Sequence, residues 1–229
     1  MRGAHGACDS CAAVGGVMIK LTVKGLSDFM TQGHAAQRQT LHNFKIKAGE
    51  GAIRIKYYAE ARGAVREYHL KNNDRAVLET AIARLQTKAG QAKGRGKDRL
   101  ARNVRAIRSY YKNFGNARFR ILGTPRIQMI QGGVTISAIP DLCAEENGSP
   151  KLIKLELGAE IPDKRAVKIV LYVIFEGATR SGYAVKPQDV IVLDVEHARR
   201  YTGRKVGVRL IRDIEAACQT IEDMWPGIK

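Results

Sequence analysis

Residues 134–157 read VTISAIPDLCAEENGSPKLIKLEL and contain the clearest signals of strands and turns in the chain. Asn147 and Gly148 form a dipeptide that favours the two-residue turn of a β-hairpin. Apolar and polar residues alternate in the runs 134–139 and 151–157, and a period of two indicates strands. The stretch therefore predicts two extended segments near a hairpin turn, with Pro140 closing the first.

Three polar residues of this stretch form the candidate active site. Asp141 follows Pro140, and Lys154 and Glu156 share one face of the later strand because successive strand residues point to opposite sides. Two carboxylates and a lysine at a sheet end can bind Mg²⁺, which prefers hard oxygen ligands, and can orient a metal-bound water. The candidate catalytic residues are Asp141, Lys154 and Glu156, with Asp141 and Glu156 as the metal ligands.

Helices and strands flank the stretch on both sides. Downstream, the pattern predicts a helix from Pro162 and Asp163 through Ala178, a buried strand over 189–195, a short strand over 205–208 and a C-terminal helix. Upstream, strands are predicted over 117–122 and 127–131. This alternation favours a mixed α/β (α+β) fold, a sheet flanked by helices.

A cationic helix precedes the strands. We expect Asp98 to cap a helix over 98–113, in which the apolar residues fall within a wedge of roughly 120°. The opposite half carries five cations, and one more arginine lies just before the helix. The candidate nucleic-acid contacts on this segment are Arg95, Arg99, Arg102, Arg105, Arg108 and Lys112.

The region before this helix is predicted to be mostly helical. The pattern predicts a strand over 18–23 and a helix that Ser27 and Asp28 cap and that runs through Leu41. Two more helices are predicted, one over 52–70 and one after Asp74. The Gly- and Lys-rich run 86–97 favours a flexible basic linker. The expected organisation is a disordered leader over 1–17, a basic helical region over 18–97 and an α/β core over 98–229.

The net charge of +17 is confined to one part of the chain. Residues 1–133 hold 25 Lys and Arg against 8 Asp and Glu, whereas residues 134–229 hold 14 of each class. Between Arg84 and Arg126 there are 13 basic residues and the single acid Asp98. Such a one-sided field favours a polyanionic partner, above all nucleic acid.

The stretch 134–195 resembles the PD-(D/E)XK nuclease superfamily, particularly its RecB-like branch and CRISPR-associated exonucleases. The shared pattern is a hydrophobic strand leading to proline and aspartate, a hairpin, a strand bearing an acid and a lysine, then a helix and another hydrophobic strand. The resemblance implies a restriction-endonuclease-like sheet, Mg²⁺-dependent hydrolysis of phosphodiester bonds and a nucleic-acid substrate, with DNA favoured over RNA.

Three departures accompany the resemblance. The carboxylate that the family carries on the preceding helix is missing, since residues 99–113 contain no acid. The family reads acid-x-lysine where this chain reads Lys154-Leu155-Glu156, so the order is reversed. The RecB-like branch also carries a Gln-x-x-x-Tyr signature on the next helix, and the corresponding positions here are Lys168 and Tyr172. We add Lys168 and Tyr172 to the candidate nucleic-acid contacts on this basis.

Other cofactors are not supported by the sequence. Cys8 and Cys11 stand near His5, but a structural zinc site needs four ligands and no second Cys-x-x-Cys occurs. The CRISPR-associated exonucleases hold an iron–sulfur cluster with three cysteines after the core, whereas only Cys218 follows here. Neither zinc nor an iron–sulfur cluster is therefore expected.

Several functions remain open at this point. No run approaches 18 consecutive apolar residues and no secretory signal is evident, so we expect a cytoplasmic protein without a membrane partner. The first hypothesis is a magnesium-dependent nuclease. The alternatives are a catalytically inactive nucleic-acid-binding or assembly protein of the same fold, and a basic interaction module that docks an acidic protein. Tyr57, Tyr58, Tyr110, Tyr111 and Phe114 interleave with the cations and can stack on bases, although their helical phase assigns most of them to the core.

Overall fold

The computed structural model describes residues 19–46 and 57–228. This part of the chain forms seven helices and two mixed sheets, which confirms the mixed α/β class. The predicted leader, Cys8, Cys11 and the beginning of the helix predicted over 52–70 lie outside the described residues. None of the helices over 19–46 and 57–228 combines the length and the hydrophobicity of a transmembrane segment.

The smaller sheet has three strands and joins distant parts of the chain. Its order is β1, β4, β3, where β1 is Ile19–Thr22, β3 is Gln128–Gln131 and β4 is Val134–Ser137. β1 runs parallel to β4, and β3 runs antiparallel to it. Two helices follow β1 directly, α1 (Val23–Thr31) and α2 (His34–Ile46).

The larger sheet has five strands and carries the predicted site. In spatial order they are β2 (Arg120–Gly123), β5 (Leu142–Glu146), β6 (Ser149–Glu156), β7 (Val190–Asp194) and β8 (Arg199–Thr202). β6 and β7 are parallel and the other neighbours are antiparallel. A parallel pair needs a crossover connection, which the chain makes with a helix.

That crossover is helix α6 (Lys164–Arg180), which packs on one face of the larger sheet. Helix α7 (Val208–Met224) belongs to the same core and contacts α1 and β4. Asp163 caps α6, because its Oδ1 accepts from the Ala166 amide at 2.8 Å. Short 3-10 turns precede β7 and follow α7. The core on this side contains Leu152 of β6 and also receives α1 and the smaller sheet.

Three helices cover the opposite face of the larger sheet: α3 (Ala59–Leu70), α4 (Arg75–Gln91) and α5 (Gly94–Phe114). Ile153 and Leu155 belong to this second core, so the alternation predicted for the strand is observed. The sheet is therefore sandwiched between two helical layers, and Lys154 and Glu156 alternate along β6 with the residues of the second core.

The linker predicted over 86–97 is wrong. α4 continues to Gln91 and α5 begins at Gly94, so only Ala92 and Lys93 separate them, and Asp98 lies inside α5 instead of capping it. The two helices pack against each other along their lengths, with Ala89 and Ala92 against the second core. Tertiary packing outweighs the low helix propensity of the glycines. The expected boundary at 97/98 falls within α5.

Four other sequence predictions are also corrected. Ser27 lies within α1, which Thr22 caps through a 3.0 Å bond to the Gly25 amide, and the helix predicted to run to Leu41 is broken at Gln32 and Gly33. The helix predicted over 52–70 begins at Ala59, after a turn at 57–58.

No strand forms over 205–208, and β8 pairs with β7 instead. The run 134–139 supplies β4 of the smaller sheet, and the hairpin partner of β6 is the unpredicted strand β5.

Candidate functional site

Asp141 lies at the start of β5 and extends the hairpin ladder with its side chain. Its amide donates to the Ile153 carbonyl at 2.8 Å, and its Oδ2 accepts from the Leu155 amide at 2.8 Å. The carboxylate thus takes the place of a backbone acceptor where the ladder of β5 and β6 ends. Because the strands are antiparallel, the start of β5 is adjacent to the end of β6.

Two cations neutralise the other oxygen of this carboxylate. Arg62 Nε of α3 lies 3.0 Å from Asp141 Oδ1, and Lys154 Nζ lies 3.2 Å from the same atom. Lys154 also donates to the carbonyl of Ile139 at 3.2 Å. The Asp141 side chain is only 9% exposed. The sequence predicted that Asp141 and Lys154 would meet. It gave no indication that Arg62 also contacts Asp141, because the two residues are 79 positions apart in the chain.

Glu156, the third predicted residue, lies two positions after Lys154, at the end of β6. It shares the face of Lys154, and its register partner on the parallel strand is Asp194. Among the described residues its side chain makes no hydrogen bond or ion pair. From the helical layer, Glu156 acts on Tyr58. The pKa of Tyr58 is raised by burial, by Tyr57 and by the charge of Glu156, against the effect of Arg102.

Asp194 is an unpredicted carboxylate at the same edge. It is completely buried, and its Oδ1 accepts from His197 Nδ1 at 2.8 Å and from the His197 amide at 3.2 Å. Its other oxygen has no partner among the residues that are described. These bonds close the turn between β7 and β8, a role that aspartate takes in tight turns.

The carboxylate oxygens of Asp141 are not available to a magnesium ion in this arrangement. Magnesium needs free carboxylate oxygens arranged around an octahedron. Both Asp141 oxygens are already used by an amide, Arg62 and Lys154. Within 19–46 and 57–228, no three His, Cys, Asp or Glu side chains converge to hold a metal. The Asp141 carboxylate is neutralised, and its ion pair with Arg62 holds α3 against the end of β6.

The cationic helix predicted from sequence is α5. Arg95, Arg102, Arg105, Arg108 and Lys112 are exposed, and Arg99 is half-buried. Only Arg105 pairs with an acid in the described part of the chain, and that acid is Glu196.

The contacts of α5 place its cations beside the ends of β6 and β7. Glu196, in the turn after β7, accepts from Arg105 and from Ser109 Oγ, the latter at 2.9 Å. These bonds hold the pKa of Glu196 below its usual range. Asn113 Nδ2 donates to the Val195 carbonyl at 2.9 Å, and Arg102 lies against Tyr58. One flank of α5 therefore borders the edge that carries Glu156.

Asn103 is a further residue that the sequence did not indicate. It is fully buried in α5, donates to the carbonyl of Tyr57 at 2.7 Å and accepts from the Ala61 amide at 3.0 Å. It ties the beginning of α3 to α5. An asparagine inside a cationic helix gives no pattern from which this bridge could be predicted.

Lys168 and Tyr172 lie on α6, in the helical layer opposite α5. Lys168 is exposed, and Tyr172 is half-buried against the first core. Burial raises the pKa of Tyr172, and nearby Glu176 adds to the effect. The described structure shows no hydrogen bond between either side chain and Asp141, Lys154 or Glu156.

Comparisons with protein-family models, with curated proteins and with solved structures found no match.

Proposed function

We propose that the chain is a DNA-binding protein with a restriction-endonuclease-like core, and that the exposed cations of α5 hold the phosphate backbone. The polymer lies along α5 in this proposal and reaches the strand edge that carries Asp141, Lys154 and Glu156. The proposed role of the protein is to bind DNA, and this binding would serve recruitment or assembly on DNA.

One observation carries the proposal: five exposed α5 cations pair with no acid in the described part of the chain. They are Arg95, Lys97, Arg102, Arg108 and Lys112. Cations that only solubilise a surface are commonly interspersed with acids, as in the balanced second part of this chain. Here the sole acid of α5 is Asp98, so the helix offers uncompensated charge to a polyanion.

The spacing of these cations suits a phosphate backbone. Ten residues separate Arg102 from Lys112, which corresponds to about 15 Å along a helix. That length spans about four phosphates of one DNA strand. Arginine is better suited than lysine to such contacts because its planar fork can bind a phosphate through two hydrogen bonds.

The topology supports the finer fold assignment. α5, β2, β5, β6, α6 and β7 follow one another in the helix, strands, helix, strand order that the sequence resemblance implies. The segment with β3 and β4 is inserted between β2 and β5 and pairs in the smaller sheet. Asp141 and Lys154 meet at the end of β6.

The proposal is tested by fluorescence anisotropy with a labelled duplex of about 20 base pairs. We expect a complex that unlabelled duplex displaces and that poly-glutamate, added at equal total charge, does not. Absence of a complex would contradict the proposal. Equal displacement by poly-glutamate would also contradict it and would favour an acidic protein partner.

Hydrolysis of DNA is the second candidate, favoured by the contact between Asp141 and Lys154 and by Glu156 on the same strand face. Arg62 and Lys154 would have to release Asp141 before a magnesium ion could bind there. We derive no hydrolytic step from the present arrangement.

A cleavage assay distinguishes this candidate from binding alone. We expect end-labelled duplex to remain intact when it is incubated with the protein and Mg²⁺ or Mn²⁺. A cut product that disappears in Glu156→Gln and persists in Glu160→Gln would establish the enzyme instead. Glu160 is a suitable control because it is exposed and lies in the loop just after β6.

A further inference from the structure

A groove of about 420 Å³ lies between α4 and α5, on the other flank of the cationic helix. Its volume falls in the range of about 300–1,000 Å³ in which small ligands are usually bound. Leu78 and Ile82 form an apolar floor, and Arg75, Glu79, Arg108 and Tyr111 stand around it. The groove thus combines an apolar base with polar groups at the rim.

Tyr111 forms an aromatic wall of this groove. Its neighbour Tyr110 is fully buried, as helical phase predicted, whereas Tyr111 is 38% exposed. The ring of Tyr68 meets the Tyr111 ring edge-on at 6.3 Å, and the Arg75 guanidinium lies 5.2 Å from the Tyr111 ring centroid. These contacts hold the ring in place, with Arg75 over one part of it, and leave Tyr111 partly exposed.

The charges at the rim favour an anionic ligand. Arg75 is partly compensated by Glu79, whose Oε1 lies 2.6 Å from Arg75 Nε. Arg108 pairs with no acid within the part of the chain that is described. An exposed aromatic ring beside an uncompensated arginine is the combination with which proteins hold single-stranded nucleic acid.

We propose that this groove takes one unstacked nucleobase of a single-stranded segment, which stacks on Tyr111 while its phosphate binds Arg108. The inference rests on the proposed function and deepens it, because it names single-stranded or frayed DNA as a preferred substrate. Bases within a duplex are stacked and paired, so they cannot enter a groove of this kind.

The test uses a labelled 12-nucleotide thymidine strand and a duplex of equal length. Tyr111→Leu is expected to weaken single-strand binding about 10-fold, the effect of losing one stacked base, and to change duplex binding less than about twofold. Tyr111→Phe is expected to bind like the unaltered protein. Tyr183→Leu is the matched control, because Tyr183 is 41% exposed and lies outside the groove.

A second variant fills the groove without altering Tyr111. Ala83 is exposed and lines the groove on α4, so Ala83→Leu should occupy the space of the base and also weaken single-strand binding. Unchanged single-strand affinity in both variants, with duplex binding intact, would overturn the base site and leave the proposed function standing. If the unaltered protein binds neither DNA, the proposed function and the base site both fall.

Discussion

Replacing Arg102, Arg108 and Lys112 together with glutamine is expected to weaken duplex binding about 500-fold at 0.1 M monovalent salt. Each phosphate contact contributes about 0.9 to the slope of log affinity against log salt, so three contacts contribute a factor of about 10 to the power 2.7 at this concentration. Fluorescence anisotropy with a labelled duplex measures the change. Because all three side chains are exposed, the variant should retain its melting temperature.

The matched control neutralises three cations elsewhere, in Arg204→Gln, Lys205→Gln and Arg209→Gln combined. These residues are exposed and pair with no acid in the described chain. They follow β8, whose Thr202 end pairs with the beginning of β7 and so lies away from Asp194. The control should weaken binding only slightly. An equal loss in both variants would contradict the assignment to α5, since it would show that only total charge matters.

Asp141→Ala is expected to lower the free energy of unfolding by about 3 kcal/mol, because it breaks a partly buried ion pair and leaves both cations without their partner. The variant also removes the acceptor of the Leu155 amide, which lies inside the sheet. Urea unfolding followed by circular dichroism measures the loss. Asp141→Asn keeps an oxygen for that amide, so we expect it to lose less stability than Asp141→Ala.

Glu160→Ala is the control for this experiment, since it removes an exposed acid without a partner among the described residues and should change stability by less than about 0.5 kcal/mol. A similarly small effect of Asp141→Ala would contradict the structural role. That outcome would favour a carboxylate that is held ready for a ligand, because functional groups are often retained at a cost in stability.

Asp141 and Lys154 meet as predicted, but they do so through a hairpin strand, β5, that the sequence analysis did not predict. Asn147 and Gly148 have φ angles of 51° and 76°, as a two-residue hairpin turn requires, and the turn sets the register of β5 and β6. Once that register is set, Asp141 must lie beside Lys154. The strand β5 itself escaped prediction because only five residues form it, and three of them are polar or small.

Contacts between distant segments explain what the sequence did not predict. Arg62 reaches Asp141 from α3, and Asn103 joins α5 to the residues before α3. No local period marks either residue. The glycine-rich run 86–97 was predicted as a linker because propensity alone favours one, whereas packing of α4 on α5 keeps it helical. The amphipathic character of α5, by contrast, is local and was predicted from its spacing.

The most direct test of DNA binding by α5 is the salt dependence of duplex affinity for the unaltered protein. Five exposed cations of α5 without an acid partner in the described chain predict a slope of log affinity against log salt of about −4.5, at about 0.9 for each phosphate contact. Anisotropy titrations between about 0.05 and 0.3 M salt measure the slope in the range where released counterions dominate affinity. A slope near −4.5 is the expected result. A slope near zero, or no binding at the lowest salt, would contradict the proposal that α5 binds DNA.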